Sequence, residues 1–117
     1  LDVISLVSPT TSKERVKEIV KNSTGFIYYV TLRGVTGSSN LDGNEIEENI
    51  KYIKSISSIP VMAGFGIKSS DDAKLLSSFS DGIVVGSSIV ELIHKNSENK
   101  DFHEVSDYIS TMKDAIR

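Results

Sequence analysis

Two glycine-bearing stretches are where this chain's residue types could do chemistry. Gly64-Phe65-Gly66-Ile67 follows a short apolar run, and Gly86-Ser87-Ser88 follows Ile83-Val84-Val85. In each, a strand ends in glycine just before a helix begins. Such a junction leaves backbone N–H groups without intrahelical partners, and the helix dipole adds partial positive charge. Two of them close in sequence suggest one anion site, suited to a phosphate monoester. The competing reading is a pair of ordinary turns. The spacing is not a dinucleotide fingerprint: G-x-G-x-x-G puts Ser69 where the third glycine belongs, and no acidic residue closes a suitable second strand. No P-loop signature is present either.

The remaining reactive side chains are less organised. His94 and His103 fall on helices in the polar C-terminal quarter, away from the glycines, and read as solvated or helix-end histidines. A triad through Ser87 lacks the G-x-S-x-G elbow. Glu45, Glu47 and Glu48 sit in the first turns of a helix, where they favour the dipole, so a solvated face outweighs a metal site. Asp2 and Asp42 are the acids nearest strand ends, and neither has an evident partner. Tyr28 alternates with Phe26 and Val30 on one strand face, either as core or as the wall of a ligand cavity.

These groups need elements to position them, and 117 residues allow one domain with a real core. The 38% apolar and 25% charged content is that of a globular protein. A net charge of −3 argues against nucleic acid or an anionic membrane as the main partner. No apolar run approaches a membrane span, no signal-peptide pattern precedes the first strand, and cysteine is absent, all of which fit a cytoplasmic protein. The chain opens at Leu1 almost directly into a strand, as a piece of something longer would.

Val3 to Val7 reads as a buried strand closed by Ser8-Pro9. Thr11 with Glu14 has capping-box spacing before the stripe Val16, Ile19, Val20, and Gly25 ends that helix. Phe26 to Thr31 is the second strand. The stretch from Leu32 to Gly43, with three glycines, is long enough to expect a functional loop. Asn44 can cap the next helix, with Ile46, Ile50 and Ile53 on one face and Glu47 four residues before Lys51. Val61 to Ala63 is the third strand. Ser69 and Asp72 cap a helix carrying Ala73, Leu76 and Phe79. Asp81-Gly82 leads to the fourth strand, a short helix runs to about Lys95, and a final helix spaces Phe102, Val105, Ile109, Met112 and Ile116.

The order β-α-β-loop-α-β-α-β-α-α calls for a parallel α/β sheet with right-handed crossovers. A complete (β/α)8 TIM barrel takes about 250 residues, so four units amount to about half of one. The alternative is a flavodoxin-like doubly wound sheet. Barrel phosphate sites recur at the last two strand-to-helix junctions beside a short extra helix, which is where the glycine pair falls. An isolated half-barrel leaves two open parallel edges for a second copy or a missing half to cover.

The run Gly25-Phe26-Ile27-Tyr28-Tyr29-Val30-Thr31-Leu32-Arg33-Gly34-Val35-Thr36-Gly37, taken with Gly64-Phe65-Gly66-Ile67 and Val85-Gly86-Ser87-Ser88-Ile89-Val90, closely resembles the tryptophan synthase alpha subunit. Ser8-Pro9 and the ending Met112-Lys113-Asp114-Ala115-Ile116-Arg117 fit as well. The resemblance covers the whole chain but only the C-terminal half of that family's barrel, strands five to eight, as a single unit 1–117. The stretch Arg33 to Gly37 is its specific element; glycine–phosphate junctions are shared by many barrels.

The resemblance implies cleavage of indole-3-glycerol phosphate to indole and glyceraldehyde 3-phosphate, a retro-aldol step of tryptophan biosynthesis. By motif, Gly37, Gly66, Gly86 and Ser87 would hold the substrate phosphate. Leu6, Tyr28, Thr36, Phe65 and Val84 would line the indole side, and residues 32–43 would form a lid that signals to the beta subunit. No cofactor is implied here, since pyridoxal phosphate belongs to the beta subunit. The family's general acid and base, a glutamate and an aspartate on early strands and loops, have no counterpart in this chain. The resemblance therefore implies a binding half that is inactive alone. A stand-alone phosphate-binding half-barrel with no reaction of its own is the alternative.

Overall fold

The computed structural model describes residues 1–31, 43–64 and 66–117. Its elements are β1 Ser5–Val7, α1 Lys13–Asn22, β2 Ile27–Val30, α2 Gly43–Ile56, β3 Val61–Gly64, α3 Ser70–Ser77, β4 Gly82–Val84, α4 Ser87–Lys95 and α5 His103–Ala115. All strand pairs are parallel, and the sheet order is β1-β2-β3-β4. Each strand thus lies beside its neighbour in sequence, as in a barrel wall. A doubly wound sheet reverses direction at a switch point, and no reversal occurs among these four strands, so the flavodoxin-like alternative is excluded.

Burial is one-sided. Along β2 and into the residue after it, Ile27, Tyr29 and Thr31 are buried while Tyr28 and Val30 are half-buried; along β3, Val61 and Ala63 are buried and Met62 half-buried. The buried set meets the helices through Val16, Ile46, Ile50, Ile53, Ala73, Leu76 and Met112. Consecutive helices pack on one another, α1 on α2, α2 on α3, and α5 on both α3 and α4. This two-residue alternation follows directly from the pleat.

The stripe read on the final helix divides. Val105 and Met112 are buried, whereas Phe102, Ile109 and Ile116 are exposed, seven residues apart on a face that no described element covers. No described helix is long and apolar enough to cross a membrane.

Local boundaries follow cap chemistry. Ser69 and Asp72 form the expected capping box on α3, with both reciprocal bonds made. On α1 the cap is Ser12, not Thr11: Ser12 Oγ accepts from the Arg15 amide, while Thr11 Oγ1 accepts from the Ser8 amide and closes the Ser8-Pro9 turn. α1 ends at Asn22 with Ser23 as its cap, two residues before the anticipated Gly25, which instead takes φ +72° in the turn that follows. α2 begins at Gly43, so Asn44 lies inside its first turn rather than capping it. β1 starts at Ser5, and Val3 is 79% exposed rather than part of a buried strand.

The start of β4 is tied to β3 by Asp81. Its carboxylate accepts from the Val61 amide at 2.9 Å and from Lys54 Nζ at 3.1 Å. The Val61 amide holds that carboxyl below the usual range, with Lys54 assisting against partial desolvation. Because the folded pKa is the lower one, the stabilisation is complete above the unfolded carboxyl's pKa and fades as pH falls through the folded value. Asp81→Ala leaves the amide of the fully buried Val61 without its partner and should cost about 1–2 kcal/mol at neutral pH. The exposed Lys54 contact adds little to this. Urea midpoints should show the gap between wild type and variant closing in acid; a gap independent of pH would refute the assignment.

Candidate functional site

The second strand-to-helix junction is built by α4. Gly86 precedes it with φ −123° and ψ −78° and supplies no side-chain cap. Its carbonyl accepts from the Ile89 and Val90 amides, so the amides of Ser87 and Ser88 come before the intrahelical ladder, where a helix N-terminus offers donors to an anion. A Cβ at Gly86 would meet open space, so packing does not require glycine there. At the first junction, Gly66 is half-buried with φ +75°, a left-handed conformation that glycine adopts without strain.

The two junctions meet through one contact. Ser88 Oγ donates to the Ile67 carbonyl at 3.2 Å, fixing the start of α4 against the segment that follows Gly66. Gly66, Gly86 and Ser87 are thereby brought to one end of the sheet. Gly37 and Thr36, with the loop assigned to residues 32–43, lie outside the described residues up to Asp42, and Phe65 lies outside them as well.

The half-buried sheet face carries the other expected residues. Leu6, Tyr28, Met62 and Gly82 stand in one row of register partners, and Val30, Gly64 and Val84 in the next. Leu6 is 62% exposed, on the strand at the sheet's edge, and Val84 is half-buried. Tyr28 leans across to β3: a Cβ on Gly64 would stand 2.3 Å from the Tyr28 hydroxyl and 3.1 Å from Val84 Cβ. Gly82 likewise leaves room for Met62, whose sulfur would lie 2.6 Å from a Cβ there. The glycines thus clear space for a tyrosine and a methionine lying over the sheet, an apolar surface with one polar tip.

Met62 and Ser88 were not anticipated as site residues. Met62 could have been found by alternation, since it lies two residues before Gly64 on the same face; Ser88 could not, because its partner is distant in sequence. Thr31 gives the upper edge its rigidity, donating to the Gly64 carbonyl from both its amide and Oγ1, each at 3.0 Å. Behind it, Tyr29 is buried against the helices, and its hydroxyl accepts from Asn49 Nδ2 at 2.9 Å. Burial raises the Tyr29 pKa and Glu45 adds to the rise, while Asn49 opposes it, so the phenol stays neutral. The two histidines are exposed and remote, His103 being 91% exposed at the start of α5. Among the described residues, no cluster of histidine and carboxylate could hold a metal ion.

Four consecutive β/α units in sequential parallel order, helices on one face only, define half of a (β/α)8 barrel. The family model for the tryptophan synthase alpha chain matches residues 1–117. The chain is 41% identical to the tryptophan synthase alpha chain of Desulfatibacillum aliphaticivorans, a match covering 99% of this chain and 44% of that one. It is 38% identical to that of Neisseria meningitidis serogroup B, covering 100% and 44%. The crystal structure of tryptophan synthase subunit alpha from Legionella pneumophila superposes with a TM-score of 0.77 at 32% identity, covering 99% of this chain and 42% of that one. Mycobacterium tuberculosis tryptophan synthase gives 0.83 at 29% identity, covering 100% and 42%. The chain belongs to the tryptophan synthase alpha chain family, to whose C-terminal half it corresponds, and spans less than half the length of the curated relatives it matches.

The contact between Tyr28 and Gly64 can be tested directly. Gly64→Ala should destabilise the chain by about 1–3 kcal/mol, the range for overpacking. In a Tyr28→Ala background the same change should cost well under half as much, leaving only the Val84 approach. Equal costs in both backgrounds, measured by denaturant unfolding, would show that the tyrosine does not occupy this space.

Proposed function

We propose that this chain is the substrate-holding half of a tryptophan synthase alpha subunit. In this reading β1 to β4 are barrel strands five to eight, and residues 1–117 act as a single unit. Gly37, Gly66, Gly86 and Ser87 bind the phosphate of indole-3-glycerol phosphate, or of the product glyceraldehyde 3-phosphate. Leu6, Tyr28, Thr36, Phe65 and Val84 face the indole. The observation that carries this is the Ser88–Ile67 contact, which joins the two glycine junctions at the end of the sheet where strands give way to helices. Anion binding there needs no charged side chain, because first-turn amides and the α4 dipole supply the positive potential.

The retro-aldol cleavage needs a proton delivered to indole C3 and one removed from the glycerol hydroxyl. The residues closing the strands at that end include Val7, Ser8, Thr31, Gly64, Val85 and Gly86, none of which is a carboxylate. By the resemblance to the alpha subunit, the acid and base come from the complementary N-terminal half, and this chain binds without turning over. The same half, or a second copy, covers the free edges of β1 and β4. The beta subunit, which carries the pyridoxal phosphate, is the partner. The assembly works in the cytoplasm.

Two measurements test this. Inorganic phosphate added to the labelled chain should shift the amide resonances of Gly66, Gly86 and Ser87 as one saturating isotherm. Purified chain should release no indole from indole-3-glycerol phosphate, and turnover should return when a separately expressed N-terminal half is added. Indole release by the chain alone would reject the division of roles. Phosphate binding with no recovery in the presence of the other half would favour a stand-alone binding module.

A further inference from the structure

A second concave site lies at the other end of the sheet. It is a cleft of about 350 Å³ between the C-terminal ends of α1 and α2, walled by Lys17, Lys21, Ser23 and the turn Ser57-Ser58-Ile59, with Val20 and Ile56 contributing apolar surface. The turn leads into β3 through Pro60, whose carbonyl accepts from the Ile27 amide at 2.9 Å. The cleft therefore sits where the strands begin, opposite the glycine junctions. Its walls come from α1, the end of α2 and the segments that follow each helix, all within this chain.

Its charge sets it apart. No acidic residue lines it, although the chain as a whole carries a net charge of −3. Lys51, Lys54 and Lys95 are each paired with a carboxylate, and Lys13 lies over the Tyr52 ring. Lys17 and Lys21, one turn apart on α1, have no ion-pair partner among the described residues. Ser58 adds a hydroxyl that makes no hydrogen bond among the described residues, whereas Ser57 and Ser23 are tied to backbone groups.

The two helix ends oppose an anion, each contributing about −0.5 of a charge. Two full cations outweigh that sum by about one charge, which is enough to favour a small dianion. The volume is that of a small-molecule site rather than of a flat protein contact.

We propose that this cleft binds a small dianion, a phosphate monoester or a short dicarboxylate, held by the Lys17 and Lys21 ammonium groups and the Ser58 hydroxyl. It is independent of the anion site at the glycine junctions.

The test is amide chemical-shift titration of the 117-residue chain with inorganic phosphate, with malonate and with a glutamate-rich peptide. Phosphate, malonate or both should move the resonances of Lys21, Ser23, Ser58 and Ile59 along one isotherm, and the responding probe identifies the source. Lys17→Gln with Lys21→Gln should weaken that isotherm about tenfold, as expected for the loss of two exposed ion pairs. Responses at Gly66, Gly86 and Ser87 should be unchanged. Both lysines are exposed, so the double variant should stay folded, its unfolding midpoint lowered only by the lost interaction of Lys21 with the α1 C-terminus. The proposal is overturned by no response at the cleft, by an unaltered isotherm in the variant, or by equal shifts at the distant Lys51 and Lys113. A response to the peptide alone would also overturn it, marking the cleft as a protein contact.

Discussion

All of the helices that touch this sheet lie on one side of it, and most of the structure depends on that asymmetry. A parallel strand has two faces, and each must be covered or remain wet. Here Ile27, Tyr29, Thr31, Val61 and Ala63 are sealed beneath α1, α2, α3 and α5, while Tyr28, Val30 and Met62 stay half-exposed on the other face. The dry side supplies the stability. The open side is where a ligand, or the rest of a barrel, can be accommodated.

The open face is furnished with unequal side chains. Gly64 has no side chain where its neighbours in register, Val30 and Val84, have valine, and Gly82 none where Met62 stands beside it; Tyr28 and Met62 lie across the space so created. A sheet interior of uniform Val and Leu would pack more tightly, but it would leave no room for a flat ring. Gly64 and Gly82 lie on β3 and β4, the strands that lead into the two junctions. The dianion cleft beneath the sheet differs in kind, because there the positive charge comes from side chains rather than from amides.

Two buried or half-buried hydrogen bonds keep the rim in register. Thr31 fastens the end of β2 to the Gly64 carbonyl, and Ser88 fastens α4 to Ile67. Further along, Asn96 Nδ2 donates to the Leu92 carbonyl and to Glu104, linking α4 to α5. The bond from Asn96, supported by Lys95, lowers the Glu104 pKa and keeps it ionised. The short helix α4 is thus held at both ends, which fixes the direction of its dipole.

Much of this was written in local sequence. Period-two alternation set Tyr28 with Phe26 and Val30 on one face of β2 without deciding whether that face was core, and the helical stripes of α2 and α3 gave the core residues Ile46, Ile50, Ile53, Ala73 and Leu76. The Ser69–Asp72 box was legible because both partners lie within one turn. Competing serines and threonines made the α1 cap ambiguous, since Ser12 and Thr11 differ only in which amide they face. What sequence could not decide is anything that joins distant segments. The consecutive order of the strands, the reach of Tyr28 over Gly64, the Ser88–Ile67 contact and the split of the α5 stripe into buried and exposed halves all depend on which elements become neighbours. Local propensity acts over a few residues, whereas these contacts join residues from about twenty to about forty positions apart. Only the assembly of the open sheet under its single helix layer brings them together.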